Sequence, residues 1–380
     1  MYVPARLSYA LRPGAPPGLL AAAAAVGLMF GATPFLIPEL ADHFGISPGL
    51  AGGVSVAQVG AFAVINLALP RLARPTGRLL AGAATGLLAA NLLSAFAPSF
   101  PVLLVTRVAA GAAAGTLTWI AWIDAMRTPR SLSSIAATGP VTALVSAPIL
   151  SLVAQLGDRA VYLVLAAAAV PIILLPVAIT GSVGPTRSVS KSRSNWVLLG
   201  ALFLQVLAGS SLFIYLAVAG VEQYGLSPVA ASFGFSLNAL GGLIGARLSA
   251  RHRRPGWWLA TSGVAAYLTV AGGHAVWFFA GLFWWGLAFW MGIPGVLQML
   301  AERSLEPGER AGDAQAVMAI GRTIGPIVGG GFTDAGAFGT LALVTGVGMT
   351  VSGLTVTGVQ QGRELLPPRE PGMGGQPPPT

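Results

Sequence analysis

Two arginines lie inside long apolar stretches of the sequence, where an unpaired charge is unfavourable. Arg107 belongs to the apolar stretch 101–123 and Arg322 to the stretch 314–334. A guanidinium group binds carboxylate or phosphate through paired hydrogen bonds, and it also donates to backbone carbonyls of neighbouring segments. Each arginine is therefore a candidate for contact with an anionic ligand and, alternatively, a candidate structural hydrogen-bond hub.

The acidic residues near these apolar stretches lie at the stretch ends rather than in the middle. They include Glu39, Asp42, Asp124, Glu222, Asp313 and Asp334. Exchange of a proton for a cationic ligand normally uses a buried carboxylate, whose pKa the site controls. We therefore expect an anionic or neutral ligand. Glu39 keeps an alternative open, since a shift of one helical turn would make it a buried coupling acid instead of a boundary residue.

Several residues of the stretch 101–123 recur at helical spacing and would share one face of a helix. They are Arg107, Gly111, Gly115, Thr118 and Trp122. A cation, small residues, a hydroxyl group and an aromatic ring together suit the wall of a binding cavity. We predict ligand contact for Arg107, Gly111, Thr118 and Trp122.

The stretch 276–299 is so rich in aromatic residues that they cannot all occupy one helix face. The aromatics at 277–279 lie near its start and are typical of a membrane interface. Trp285 and Phe289 lie deeper, and we predict that they present flat apolar surface to the ligand. Helix packing and lipid contact are the alternative roles for these two side chains.

Membrane-spanning helices must position these residues. The 380-residue chain is 54% hydrophobic and only 9% charged, and its apolar runs match the roughly 20 residues that a helix needs to cross a bilayer. We predict an all-α integral membrane protein with twelve transmembrane helices, numbered spans 1 to 12. They cover 18–40, 51–70, 79–97, 101–123, 134–156, 160–181, 196–219, 228–246, 256–273, 276–299, 314–334 and 336–357.

The basic residues alternate between the loops. Eighteen of the 21 lysines and arginines lie in the two termini and in every second loop, whereas only Arg159 lies in the remaining loops. Cytoplasmic loops of membrane proteins carry an excess of positive charge. We therefore predict a multi-pass protein of the plasma (inner) membrane with both termini in the cytoplasm. The same pattern explains the net charge of +9 without a nucleic-acid partner.

A short internal repeat divides the chain into two pseudo-symmetric six-helix bundles. The segment 44–48, Phe-Gly-Ile-Ser-Pro, follows span 1, and the segment 224–228, Tyr-Gly-Leu-Ser-Pro, follows span 7. Bundles that rock against each other around a central site are typical of alternating-access transport. The predicted divisions are a cytoplasmic N-terminal segment 1–17, bundles 18–181 and 196–357, a cytoplasmic linker 182–195 and a disordered cytoplasmic tail 358–380.

The sequence lacks the residues that catalysis or metal binding would need. The sequence has no cysteine, and its three histidines, His43, His252 and His274, lie far apart. No loop between the spans gathers acids or histidines for metal or general-base chemistry. We predict neither a metal nor another cofactor, and a polytopic membrane enzyme is the least favoured alternative.

Four motifs resemble the major facilitator superfamily and, within it, the bacterial twelve-helix drug and metabolite efflux permeases. The segment 70–78, Pro-Arg-Leu-Ala-Arg-Pro-Thr-Gly-Arg, occupies the place of the family's signature loop between spans 2 and 3. Arg107 with Gly111, the segment 157–162 and the segment 321–326 resemble the family's patterns in spans 4, 6 and 11.

The resemblance implies a secondary active transporter that works as a monomer, exports a drug-like or biosynthetic small molecule by alternating access, and has protons as a candidate coupling ion. It also implies that spans 1, 4, 7 and 10 line the cavity. Uptake of a sugar or organic anion, by symport or by facilitated diffusion, is the alternative that the residues leave open.

The sequence departs from the family pattern at candidate gating residues. Arg74 stands where the signature loop has an acid, whose role in the family is to latch the outward-open state. Asp124, at the inner end of span 4, is a candidate partner for Arg74 or Arg78. The remaining gating candidates are two helix-bending pairs in matching positions of the halves, Gly139-Pro140 and Gly325-Pro326.

Overall fold

The computed structural model describes residues 14–125, 129–175, 177, 179, 193–249, 254–302 and 307–364. The helices within these ranges are α1 (Pro17–Phe44), α2 (Pro48–Ala51), α3 (Gly53–Leu72), α4 (Gly77–Ala95), α5 (Phe100–Ala125), α6 (Pro129–Ala154), α7 (Asp158–Leu174), α8 (Arg193–Phe213), α9 (Leu216–Tyr224), α10 (Pro228–Leu248), α11 (Pro255–Ala271), α12 (Ala275–Glu302), α13 (Pro307–Asp334) and α14 (Phe338–Glu364). The single-turn α2 leads into α3, and α9 continues α8, so these helices make twelve long segments.

The twelve segments confirm the predicted all-α membrane fold. Among the described residues, nine of the twelve segments are long and apolar enough to cross a bilayer. Two further helices, α7 and α11, have 17 residues each, which is at the short end of the range that spans a membrane. The last, α13, has 28 residues and is the least apolar of the long helices. The protein is therefore a multi-pass membrane protein.

The two halves repeat the same set of helix pairings. In the first half α1 packs on α6 and α7, α3 packs on α5, and α4 packs on both α5 and α7. The second half pairs the equivalent helices: α8 with α13 and α14, α10 with α12, and α11 with α12 and α14. This correspondence confirms the two pseudo-symmetric bundles that the sequence repeat predicted.

The repeated loops also have matching backbone geometry. Gly45 and Gly225 end α1 and α9 in the left-handed region, with φ of 61° and 62°. The hydroxyl groups of Ser47 and Ser227 then accept hydrogen bonds, each 3.2 Å long, from backbone amides in the first turn of the next helix. Both loops therefore use a glycine C-cap followed by a serine N-cap.

Close helix contacts occupy equivalent places in the two halves. A Cβ atom at Gly111 on α5 would collide with the backbone oxygen of Gln58 on α3, and one at Gly286 on α12 would collide with that of Asn238 on α10. Gln58 and Asn238 are 180 residues apart, as are the repeated loops. Small residues at these crossings let the helix backbones approach each other.

Contacts between the halves follow two helix pairs, α3 with α13 and α6 with α10. We define the outer end as the end that carries the loops 45–47, 225–227 and 335–337, which the charge pattern assigns to the extracellular side. At that end α2 also packs on α13, and α9 packs on α1. The interface is thus extensive where the protein is predicted to meet the outside.

Four segments differ clearly from the predicted spans. Span 6 was predicted over 160–181, but α7 ends at Leu174, and the described residues 175, 177 and 179 are not helical. Span 11 was predicted over 314–334, but α13 begins seven residues earlier, at Pro307.

Span 7 was predicted to be continuous over 196–219, but the helix is interrupted at Ile214 and Tyr215, between α8 and α9. The last helix continues to Glu364, seven residues beyond the predicted end of span 12. Residues 358–364 are therefore helical rather than part of a disordered tail. The predicted N-terminal segment as far as residue 13, most of the linker 182–195 and the tail beyond Glu364 lie outside the described residues.

Replacement of the loop glycines by alanine should destabilise the protein. At Gly45 and Gly225 no neighbouring atom lies within 4 Å of an added Cβ atom, so the effect isolates the strain of the left-handed backbone, roughly 1–2 kcal/mol per residue. Gly31→Ala is the matched control, because this glycine has equal space within a helix. Thermal unfolding in detergent should show lower midpoints for Gly45→Ala and Gly225→Ala but not for Gly31→Ala. Equal midpoints in all three variants would contradict this reading.

Candidate functional site

Arg107 lies in the interior of the first half and is only 1% exposed. Its Nη2 donates to the hydroxyl of Ser94 at 2.6 Å and to Oδ1 of Asn91 at 2.9 Å. Its Nη1 donates to Oε1 of Gln58 at 3.4 Å. The guanidinium carbon also lies 4.7 Å from the centre of the Tyr162 ring, a cation–π distance. These partners come from α3, α4 and α7, so Arg107 ties three helices to α5.

The predicted stripe on α5 divides into a packed part and an accessible part. Arg107 is buried, and Gly111 and Gly115 both pack against the backbone of α3. Farther along the helix Thr118 is half-buried, and Trp122 is 37% exposed. The structure therefore places Gly111 in a helix contact rather than at an open wall. Ligand contact by Thr118 and Trp122 stays a prediction.

Arg322 has a different environment, near the middle of α13. Its side chain is exposed, and among the described residues it makes no hydrogen bond or ion pair to another side chain or carbonyl. At 1.5 Å per residue it lies roughly 18 Å along the helix from Asp334. The chain thus carries an accessible cation deep inside a membrane-spanning helix.

The faces of α13 show which side Arg322 occupies. One face packs on α8 through Gly321, Gly325 and Gly329. The face toward α3 carries Thr323, whose Cγ2 would lie 3.3 Å from a Cβ atom at Gly60. Two further sides of α13 lie between its α8-facing and α3-facing sides. One of them is apolar and the other is polar.

The first remaining side of α13 is apolar, with Ile320 43% and Ile327 60% exposed. The other carries Arg322 and Gln315, two exposed polar residues separated by seven positions and hence on one stripe. Because an arginine facing lipid at this depth costs at least about 2.5 kcal/mol, the apolar side is the one that suits lipid. Arg322 and Gln315 then face the space between the halves.

A layer of aromatic rings connects the two halves. Phe35 of the first half meets Phe235 edge-to-face at 5.2 Å between ring centres, Phe235 meets Phe213 at 5.2 Å, and Phe213 meets Trp285 at 5.7 Å. Phe35, Phe235 and Trp285 are less than 9% exposed. Of the two predicted ligand-facing aromatics, Trp285 belongs to this layer, while Phe289 is half-buried beside it.

The predicted gating residues lie in several places. Arg74 and Arg78 are exposed, whereas Asp124 is 7% exposed and interacts with other groups. Pairing of Asp124 with either arginine stays a prediction. Gly139 lies next to Gly27 of α1 at an ordinary contact distance, since a Cβ atom at Gly27 would lie 3.5 Å from its Cα atom. Its neighbour Pro140 is half-buried.

The second helix-bending pair packs within the second half, beside a tyrosine that reaches the first half. Gly325 packs on Ser210 of α8, and the carbonyl oxygen of Pro326 accepts a 2.9 Å hydrogen bond from the hydroxyl of Tyr215. Tyr215 also lies 3.3 Å from the carbonyl oxygen of Gly49 in the first half. Gly325-Pro326 is therefore at the contact that joins α13 to α2 and to the interrupted helix.

Glu39 is half-buried toward the outer end of α1. One turn farther along, His43 Nδ1 lies 3.0 Å from an oxygen of Asp158, and Asp42 is exposed. Glu39 thus belongs to a polar outer region, and its role as a coupling acid stays a prediction. Among the described residues, no group of three or more histidines, aspartates or glutamates has the arrangement of a metal site.

Sequence reasoning missed Tyr215, Phe235 and the role of Asp334, which bonds across the halves to Ser47 and to the Gly49 amide. Their partners lie in the other half of the chain, so no local spacing announces these contacts.

The arrangement of two six-helix bundles around a central space is one that known proteins share. The family model for the major facilitator superfamily matches residues 19–330. The chain belongs to this superfamily. Membership of this superfamily indicates a membrane transporter for a small molecule rather than an enzyme. A comparison with curated proteins found no match.

Solved structures show the same fold at low sequence identity. A bacterial homolog to the human lysosomal transporter Spinster, in an inward-facing and occupied conformation, has a TM-score of 0.71 and 13% identity, covering 93% of this chain and 97% of that chain. The peptide transporter POT in complex with sulfate has a TM-score of 0.71 and 14% identity, with 91% and 94% covered. The nucleoside transporter NupG has a TM-score of 0.66 and 13% identity, with 90% and 98% covered.

The two intramembrane arginines should differ in their effect on stability. Arg107→Ala leaves a cavity and strips the buried Ser94 and Asn91 of a donor, a loss of roughly 2–4 kcal/mol. Arg322→Ala removes an exposed side chain without breaking a described contact, so stability should be nearly unchanged. Thermal unfolding of both variants in detergent checks the difference. A larger loss for Arg322→Ala than for Arg107→Ala would contradict these two roles.

Proposed function

We propose that this protein is a secondary transporter that exports an organic anion, or a neutral molecule with anion-like acceptor groups, by alternating access. One observation carries the proposal. Arg322 lies deep within a membrane-spanning helix, is exposed on the side opposite the apolar Ile320 and Ile327, and has no partner among the described residues. A cation in that position is stabilised when a substrate supplies acceptor oxygens.

The surroundings of Arg322 favour a substrate with apolar surface. The aromatic layer with Trp285 and Phe213, which connects the two halves, is proposed as a wall of the cavity. Flat aromatic faces bind aromatic or aliphatic groups, and cavities of this kind combine apolar walls with a few polar contacts. An amphipathic carboxylate fits both features. Thr118 and Trp122 of α5 are proposed as contacts from the first half.

Arg107 is proposed as a structural residue in this scheme. It is enclosed by Gln58, Asn91, Ser94 and Tyr162, so a substrate would have to displace several hydrogen bonds to reach it. A rigid first half is useful for transport, because rocking requires that each bundle moves as a unit. We therefore assign the role of a structural hydrogen-bond hub to Arg107 and that of substrate contact to Arg322.

Export is favoured by charge. An inside-negative membrane potential pushes anions outward, by about 2.3 kcal/mol per charge for each 100 mV. Among the described residues, no buried carboxylate lies beside Arg322. The exchange of a proton for a cationic substrate therefore has no support at this position. Uptake of an organic anion remains the second candidate, and the same arginine would serve it; only the driving force and direction differ.

Ligand screening should show a preference for amphipathic anions. Aliphatic and aromatic carboxylates are expected to raise the unfolding temperature of the detergent-purified protein, because they bind the folded state alone. Arg322→Ala should abolish this rise, and Arg322→Lys should weaken binding at least about tenfold, since lysine cannot bind a carboxylate bidentately. Ile327→Ala, on the apolar side of the same helix, is the control and should retain the response. Stabilisation by lipophilic cations alone would contradict the proposal.

Flux in proteoliposomes should respond to voltage. For a monovalent anion identified in the screen, an imposed potential of 100 mV should drive accumulation on the positive side up to about 50-fold. Glu39→Gln should leave this response intact if Glu39 is only an outer boundary residue. Flux that instead follows an imposed pH gradient and disappears in Glu39→Gln would assign proton coupling to Glu39.

A further inference from the structure

The outer ends of the two halves are joined by one carboxylate. Asp334 is the last residue of α13, and its Oδ2 accepts a 2.7 Å hydrogen bond from the hydroxyl of Ser47. Its Oδ1 accepts a 2.6 Å bond from the backbone amide of Gly49. Both donors belong to the first half, at the start of α2. We refer to Asp334, Ser47 and Gly49 together as the outer latch.

The chemistry of this contact is specific. The amide of Gly49 belongs to the first turn of a helix, where amides have no carbonyl acceptor within the helix. Asp334 satisfies this amide, and its negative charge meets the positive end of the peptide dipoles. Ser47 meanwhile accepts from the Leu50 amide at 3.2 Å while it donates to Asp334. When the halves separate, the Asp334 carboxylate, the Ser47 hydroxyl and the Gly49 amide therefore each lose a hydrogen-bond partner.

Close packing beneath the latch makes it sensitive to position. A Cβ atom at Gly49 would collide with the carbonyl oxygen of Gly330 and with the Asp334 carboxylate, and one at Gly52 would collide with the Tyr215 hydroxyl. The hydroxyl of Tyr215 is already engaged with Pro326. The latch thus lies over a tight contact between α2, α13 and the interruption of the seventh segment.

The other contact between the halves, α6 with α10, has no equivalent carboxylate from α6. There the hydroxyl of Ser236 on α10 donates to the carbonyl oxygen of Leu144 on α6 at 2.7 Å. The sequence of α6 contains no acidic residue, so no carboxylate of this helix reaches the start of α10. The carboxylate latch is a feature of the α2–α13 contact, although the fold is pseudo-symmetric.

The inner side shows the opposite departure. Arg74 occupies the position in the signature loop where an acid is expected from the resemblance, and the residue is exposed. An acid that would hold the inner ends together is therefore replaced by a base, while an acid holds the outer ends. The two changes favour the same conformation.

We propose that Asp334 is the residue that holds the empty transporter closed at its outer end and open toward the side of its basic loops. Opening to the outside then requires rupture of the two hydrogen bonds of the outer latch and separation of Gly49 from Gly330. This inference rests on the proposed alternating access but not on the nature of the substrate.

A distance measurement on the ligand-free protein tests the proposal. Because the sequence has no cysteine, Gln155→Cys and Gln223→Cys introduce two unique spin-label sites. Both positions are exposed near the outer ends of opposite halves. Double electron–electron resonance in nanodiscs should give one short distance population in the parent protein. Asp334→Ala should add a population of longer distances, and Gly49→Ala should do the same by a steric route from the other half.

Asp42→Ala is the matched control, because it removes another exposed outer carboxylate and should leave the distances unchanged. Unfolding midpoints of each variant show that the fold is retained. Unchanged distances in Asp334→Ala would overturn the proposal, as would the same shift in Asp42→Ala. A shift confined to Gly49→Ala would assign closure to glycine packing instead of the Asp334 carboxylate, which also overturns the proposal. Failure of anions to bind would refute the proposed substrate but leave these distances unaffected.

Discussion

The low polarity of the bilayer governs the arrangement of charge in this protein. A cation at membrane depth must be surrounded by polar groups or exposed to water, since lipid offers neither. The chain meets this constraint in two ways. Arg107 is enclosed by hydrogen-bond acceptors from two helices and by the Tyr162 ring from a third, and it ties these helices together. Arg322 lies on the polar side of a helix whose opposite side is apolar, and its side chain is exposed.

The division of roles between the arginines fits the mechanics of two moving bundles. Within each half, glycine crossings such as Gln58 with Gly111 bring helix backbones together, and buried polar groups fix their register. Between the halves the contacts are concentrated at the outer end, where Tyr215 and Asp334 cross the interface. At that end the bundles are joined by polar contacts, and elsewhere by packing of α3 on α13 and of α6 on α10.

Local patterns predicted the fold well because membrane helices follow length, hydropathy and charge alternation. The repeated loops were also recognisable, since Gly45 and Ser47 form a cap whose chemistry is local. The packing around the candidate site residues was predicted less well. The stripe from Arg107 to Trp122 has helical spacing, but spacing does not tell which neighbour covers a face, and α3 covers Gly111. The interruption at Tyr215 has no proline or glycine beside it and depends on partners in distant helices, so the sequence did not reveal it.

The most direct test of the account is the accessibility of Arg322 to water. With no native cysteine, Arg322→Cys, Arg107→Cys and Ile327→Cys each introduce one thiol that a charged, membrane-impermeant methanethiosulfonate reagent can modify. The account predicts rapid modification at position 322 and slow modification at position 107, which is enclosed, and at position 327, which faces lipid. Modification at 322 no faster than at 327 would contradict the assignment of Arg322 to the transport cavity.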